Sequence, residues 1–462
     1  MSKLYYYSTG NEPIDDENFE THYTLSHSVL MEYILQSTRE SFYRLSVLPI
    51  AARNDLLSAM KAALVAHRED ILAANLSDLE EARDSVTPAT FKRLQLNAEK
   101  FTGLISGLDA VIALADPLGR TAYAQEMTAG LSLYRVSCPI GVVACIFEAR
   151  PDAAVQIASL AIKSGNAVVL KGGREARRTN RALVTALRSA LPPQLEAAIT
   201  LIDTREDVAK LLKHEKFVDL VIPRGSAELV RFIKANTRIP VLGHADGICS
   251  VFVHAAADLV KALAVVVDAK TQYPAVCNAT ETLLVDAAVA EAFLPQAVEA
   301  LLAKGVELRL AESAVKYLSS AQAGRVTLAS EADFFTEFCE LVLAVKVVDD
   351  LEAAVEHING HGSHHTDAII TEHPHAAEKF MNAVDSAGVY WNASTRFADG
   401  FRYGFGAEVG VSTGKFHARG PMGLEGLTTY KFKLFGDGHT VAVHGAALNP
   451  GHVSPKIPTC PF

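Results

Sequence analysis

From Pro139 onward the chain repeats one pattern: a short, wholly apolar run, then a longer stretch with apolar residues three and four apart. The apolar runs are 141–147, 167–170, 199–202, 218–222 and 239–242, and the helical stretches between them are 152–163, 175–190, 207–212 and 226–235. A strand that is apolar on both sides must be covered on both faces. Helices that join successive strands do this in a parallel, doubly wound sheet. The pattern therefore predicts an α/β fold with ligands at the carboxyl ends of the strands. It returns more loosely after residue 277, through 342–348, 367–371 and 388–391.

Composition narrows the function. A chain of 462 residues has material for two or three domains. A net charge of −10 argues against a general binder of nucleic acid or anionic membranes. No apolar run reaches the roughly 18 residues that suggest a membrane span. An anionic ligand must then be gripped by local arginines and lysines against the overall field. The six cysteines are too dispersed for a disulfide framework and form no CxxC pair. Tyr5-Tyr-Tyr7 and the acidic run after it match neither a secretory signal nor a transit peptide, so a reducing, cytoplasmic location is expected.

Residues 1–38 read as an extension without an assigned role. Residues 39–83 read as helical, with Leu56, Leu57, Met60, Leu64 and His67 on one stripe. Pro88 breaks the pattern, and a second helical stretch covers 90–115. Residues 121–135 read as a hairpin, an arm reaching out of the domain. The tail from Gly436, rich in His, Gly and Pro, reads as poorly ordered.

Cys277 is the candidate reactive centre. A helical pattern over 258–270, with Leu259, Leu263 and Val267 spaced four apart, is stopped by Pro274, and a strand follows over 280–285. The cysteine falls on a short connection between rigid elements. Ala275, Asn278 and Ala279 are small enough to admit a substrate carbonyl to its sulfur. A lone cysteine is more often a small buried apolar side chain, and only an accessible, activated thiolate attacks well.

The strand ends carry ligand-binding residue types. Arg150, extended because Pro151 follows it, projects at the first strand's ligand edge and suits a bidentate grip on carboxylate or phosphate; a surface ion pair is the other reading. Lys171-Gly-Gly-Arg174 follows the second strand, although its spacing is not that of the usual dinucleotide fingerprint. Arg174 at a helix start opposes the dipole, a penalty that an anionic ligand would remove and that Glu175 could also offset. Arg224-Gly-Ser226 repeats the theme, with Ser226 as N-cap. His357, His361, His364 and His365 invite a metal reading, but no cysteine or carboxylate recurs at ligand spacing. A polar loop and no metal are expected there.

Segments 139–173, 223–226, 243–249, 272–278, 357–367, 392–397 and 415–431 together resemble the aldehyde dehydrogenase superfamily, and within it the branch that reduces γ-glutamyl phosphate. The likeness runs from Arg39 to Phe435. It implies a doubly wound, Rossmann-type NADPH-binding domain (39–120 and 138–249), an α/β catalytic domain (250–425) and a small β oligomerisation arm (121–137 and 426–435). Residues 1–38 and 436–462 are then an N-terminal extension and a C-terminal tail. The implied reaction is NADPH-dependent reduction of L-glutamyl 5-phosphate to L-glutamate 5-semialdehyde and phosphate through a Cys277 thioester, the second step of proline biosynthesis.

By the same resemblance, Lys171 contacts the adenosine ribose, and Arg174 reads the 2′-phosphate where NAD-preferring relatives carry an acid. Gly225 and Ser226 form the pyrophosphate turn, and Glu337 meets the nicotinamide ribose. Arg150, Asn278, Asn392 and Arg396 are the expected substrate contacts. A homodimer or higher homo-oligomer is implied, and association with a glutamate 5-kinase stays open. Two departures stand out. Gly243 replaces the general-base glutamate of hydrolytic relatives, and Ala149 replaces the oxyanion asparagine. An aldehyde oxidiser needs that base to activate water, so an NAD-dependent oxidiser is disfavoured. A silent nucleotide-binding scaffold would not need Cys277.

Overall fold

The computed structural model describes residues 16–444 and 459–461. The first described element, helix Asp16–Leu45, runs straight through the expected boundary at residue 38. Its Met31, Leu35 and Leu45 are buried in the core, and its Thr38 hydroxyl lies 2.9 Å from that of Thr200. The residues from 29 to 38 are thus part of the domain, and 1–15 of the expected extension lie outside the described residues. Helices Ile50–Ala66 and Arg68–Ala82 follow. His67 is exposed at their junction, not on the buried stripe of Leu57, Met60 and Leu64.

Strands β1 (Thr121–Thr128) and β2 (Leu131–Pro139) form an antiparallel hairpin that turns at Gly130, where φ is +77° and glycine is favoured. The first parallel sheet contains β3 (Val142–Phe147), β4 (Ala167–Lys171), β5 (Ile199–Leu201) and β6 (Leu220–Arg224), in the order β5-β4-β3-β6. Its strands are almost continuously buried, as expected for a sheet covered on both faces. The run 239–242 makes only a single bridge, Val241 to Val221. Pro240 has no N–H to extend a ladder. The strands are all parallel, and the order in which they are added switches from one side of β3 to the other at β6, which makes the ends of β3 and β6 the switch point.

The second sheet has seven strands: β7 (Cys249–Val253), β8 (Thr280–Asp286), β9 (Glu307–Leu310), β10 (Thr327–Leu328), β11 (Val342–Val348), β12 (Thr366–Ile370) and β13 (Gly388–Trp391). The order is β10-β9-β11-β8-β7-β12-β13, with every pairing parallel. Strands β14 (Gly410–Ser412) and β15 (Gly420–Met422) pair with each other, and β16 (Thr428–Phe435) returns to pair with β2. The start of the expected disordered tail is folded: His439 Nε2 lies 3.0 Å from the Ala129 carbonyl, and Val441–His444 is helical. Residues 445–458 and 462 lie outside the described residues. Cys138, Cys145, Cys249, Cys277 and Cys339 form no disulfide. No helix among the described residues is long and apolar enough to cross a membrane.

Candidate active site

Asp258 caps helix Leu259–Thr271 by accepting from the Val260 and Lys261 N–H groups, and the chain then turns at Pro274 into the connection that carries half-buried Cys277. A Cβ at Gly247 would come within 2.3–2.6 Å of the Cys277 backbone and Cβ. Only glycine lets the segment ahead of β7 pack so close to the thiol loop. The order β8-β7-β12 brings His365, at the amino end of β12, to the same place: its Nε2 is 3.2 Å from Cys277 Sγ. His365 Nδ1 lies 2.9 Å from Thr366 Oγ1 and 3.8 Å from Cys249 Sγ. With Nδ1–H donating to the Thr366 hydroxyl, Nε2 is left to take the thiol proton. Asp367 accepts from the Ser250 N–H at 2.7 Å and the Ser386 hydroxyl at 2.6 Å, tying the start of β12 to β7. Burial pushes its pKa up to about 6. Cys249 donates its thiol to the Cys277 carbonyl at 3.2 Å, and burial raises its pKa well above the ordinary thiol value.

Arginines lie about the cysteine loop. Arg396 is buried, with Nε donating to Gln272 Oε1 at 3.0 Å. Burial and then Arg402 depress its pKa, while a Cys277 thiolate would act in the opposite sense. Arg93 donates to the Ala275 carbonyl within the cysteine loop at 3.1 Å. The guanidinium of Arg150 makes no hydrogen bond or ion pair among the described residues, and burial followed by the charge of Arg224 depresses its pKa. A desolvated, unpaired arginine is a ready receptor for an anion. Asn278 is buried and donates to the Ala398 carbonyl at 2.8 Å, which leaves its Oδ1 buried without a partner.

Asn392 is not part of this group. Its Oδ1 accepts from the Thr371 N–H at 2.9 Å and its Nδ2 donates to the Thr371 carbonyl at 3.0 Å, at the opposite end of β12 from His365. With φ at +54°, Asn392 is committed to ending a strand. The four neighbouring histidines separate as well. His357 and His361 stack 4.0 Å apart beside Phe334, and His364 Nδ1 donates to the Asp385 carbonyl at 2.7 Å. Only His365 reaches the cysteine.

The switch point lies on the first sheet. Ser226 caps helix Ala227–Ala235, and its N–H donates to Glu148 Oε2 at 2.9 Å. A carboxylate thus already occupies the positive helix end, where a phosphate would be equally welcome. Gly225 beside it is exposed, and a Cβ there would come within 2.3 Å of that carboxylate. Lys171 is half-buried; burial depresses its pKa, and Glu175, Arg205, Glu148 and Asp203 supply the surrounding charges. Exposed Arg174 faces a cleft of about 560 Å³ with Arg177, Arg178 and Arg181. Glu337 lies on the loop before β11 beside Cys339, whose thiol is pushed up to about 12 by burial and then by Glu337 and Glu281. At Ala149, φ is +48° and the N–H donates to Glu175 Oε1 at 2.7 Å.

A profile of the aldehyde dehydrogenase family matches residues 10–316. Over 396 residues the chain is 55% identical to the gamma-glutamyl phosphate reductase of Parasynechococcus marenigrum (strain WH8102), covering 84% of this chain and 89% of that one. It is 49% identical over 417 residues to a protein of the same name from Nostoc punctiforme, covering 90% and 95%. The solved structure of gamma-glutamyl phosphate reductase from Thermotoga maritima matches with a TM-score of 0.85 at 39% identity, over 89% of this chain and 99% of that one. The chain belongs to the γ-glutamyl phosphate reductase family.

Its architecture is accordingly the aldehyde dehydrogenase fold. Within this family member, position 243 is glycine, and the three atoms nearest to a Cβ there would all belong to Pro223, at 3.2–3.5 Å. Sequence reasoning missed His365. The signal available was a histidine directly before a strand, and its meaning depended on which strand lay two places away.

Proposed function

We propose that the chain reduces L-glutamyl 5-phosphate to L-glutamate 5-semialdehyde and phosphate with NADPH, in the cytoplasm, as the second step of proline biosynthesis. The observation that carries this reading is the 3.2 Å pairing of Cys277 Sγ with His365 Nε2 beside a glycine at position 243. His365 takes the thiol proton, and the thiolate attacks the acyl carbon. The bond to phosphate breaks and a thioester forms. Arg150 stabilises the departing phosphate charge, and Arg396 and Asn278 hold the glutamyl group. Gly243 contributes no carboxylate to activate water, which removes the hydrolytic relatives' route for thioester hydrolysis. Lys171, Arg174, Gly225, Ser226 and Glu337 would hold the cofactor, which supplies the hydride when bound. Collapse of the resulting thiohemiacetal breaks the C–S bond, releases the aldehyde and regenerates the thiolate beside His365.

The test is phosphate-dependent NADP reduction with glutamate 5-semialdehyde. Cys277→Ser is expected to lower the rate by at least about 10⁴-fold. A normal rate in that variant, or none in the wild type, rejects the reading.

The division into cofactor domain, catalytic domain and arm belongs to the same proposal, with β1, β2 and β16 joining two copies. Its support is the exposed apolar face of β16, where Tyr430, Phe432 and Leu434 are each 57% exposed. Phe432→Glu should shift the sedimentation profile toward monomer; an unchanged profile removes the arm's role.

A further inference from the structure

Cys277 and His365 suffice for a thiol–imidazole pair, yet a second imidazole stands beside them. One ligand atom from each of His244, Cys277 and His365 lies within 4.8 Å of the other two. The rings of His244 and His365 meet edge to face at 5.0 Å. We propose that these three side chains form a binding site for a divalent transition metal of the zinc type, and that occupancy shuts the enzyme off by capping its thiolate.

The donor set is right for such an ion: two imidazoles and a thiolate suit zinc and exclude magnesium and calcium, which take oxygen. The spacing is close to right. Zn–S and Zn–N bonds at tetrahedral angles put neighbouring donors roughly 3.5 Å apart, and Cys277 Sγ and His365 Nε2 are 3.2 Å apart. Closing the rest of the triangle takes a small rotation of His244, which is only half-buried. The outer shell is already in place. His244 Nδ1 lies 3.0 Å from the Val411 carbonyl, and His365 Nδ1 lies 2.9 Å from Thr366 Oγ1. Each contact engages one ring nitrogen as donor and leaves the other, Nε2, to face the metal. Three protein ligands leave a fourth position open to water. Binding exchanges the thiol S–H for an S–Zn bond and releases one proton to solvent, with no change of oxidation state.

Because the site is read from geometry alone, it can be tested without turnover. Cobalt(II), added to the reduced full-length protein, should give a thiolate-to-metal charge-transfer band at one equivalent, and zinc should bleach it. In Cys277→Ser the band should be absent. In His244→Asn the cobalt dissociation constant should rise at least about tenfold, since a lost ligand costs more than a lost outer-shell partner. Micromolar zinc should inhibit the wild type reversibly, with EDTA restoring the rate, and should inhibit His244→Asn correspondingly less. No band in the wild type, or equal cobalt affinity in folded His244→Asn and wild type, overturns the proposal. His244→Gln serves as the second variant if the asparagine form does not fold. Loss of the cobalt band leaves the reductase reading intact, and loss of reductase activity leaves the metal site intact.

Discussion

The two parallel sheets use opposite ends. On the four-stranded sheet the residues proposed to hold the cofactor follow the strands: Lys171 at the end of β4, and Gly225 and Ser226 after β6, with Glu148 after β3 beside Ser226. On the seven-stranded sheet the reactive residues precede the strands: Cys277 before β8 and His365 before β12, with Cys249 opening β7. The first arrangement draws on helix N-termini and suits anions. The second gathers side chains at the ends of three neighbouring strands, and the contact that offers activation there is the pairing of Cys277 with His365. The rule that ligands sit at carboxyl ends matches the proposed cofactor residues of one sheet and says nothing about the other.

The largest expected effect tests whether pairing is what matters at the amino ends. His365→Ala should lower kcat by about 10²–10⁴-fold, the usual contribution of a positioned base. The rate at which iodoacetamide alkylates Cys277 near neutral pH should fall in parallel, which a loss of packing alone would not produce. If alkylation is as fast in the variant as in the wild type, the thiol is activated by something else and the contrast between the sheets loses its chemical content.

Legibility followed the same division. On the first sheet each residue proposed to hold the cofactor is within a few positions of a strand, so strand–glycine–helix patterns in the sequence picked out Lys171, Arg174, Gly225 and Ser226 as candidates. Cys277 was visible because Pro274 and the strand after it are also local. His365 is 88 positions from Cys277. Their meeting depends on the strand order β8-β7-β12, which periodicity does not encode. A run of four histidines also hid the one that matters. Asn392 misled for a related reason: an asparagine at a strand end reads as polar and available, whereas here both ends of its amide are taken by the Thr371 backbone. Helix Asp16–Leu45 escaped notice because, among its described side chains from residue 29 on, apolar core residues such as Met31 and Leu35 are interspersed with exposed Val29, Leu30 and Tyr33.

A second contrast is acid sensitivity, for which the seven-stranded side carries a specific liability. Burial, then the charges of His361 and Lys346, depress the pKa of His357 to about 3. Lys346 Nζ lies 3.4 Å from its Nδ1, and its Nε2 is buried with no partner, so the protonated ring has nowhere to place its charge. The ordinary value is about 6.5. With a folded-state pKa below the unfolded one, the unfolded chain takes up the proton first. Stability is therefore full above pH 6.5 and is lost as pH falls from there toward 3. The upper bound is on the order of 5 kcal/mol. His357→Phe, which can pack against Phe334, should flatten urea-denaturation stability between pH 6.5 and 4 relative to wild type. Parallel curves for the two proteins would mean that acid lability lies elsewhere, and the four-stranded side would then be the place to look.

The smallest effect falls on the first sheet and concerns selectivity more than rate. Lys171 is half-buried among mixed charges, whereas Arg174 is exposed at the start of the next helical segment, facing the cleft with Arg177, Arg178 and Arg181. An exposed cation is screened by solvent and salt, so its contribution to holding a 2′-phosphate is modest. Arg174→Ala should raise the KM for NADPH about five- to tenfold, leave that for NADH unchanged, and lose most of its effect at high ionic strength. An equal change for both cofactors would move the phosphate reader to a neighbouring arginine or to Lys171. It would also mean that this sheet, like the other, depends on a partly buried group whose importance no exposed motif reveals.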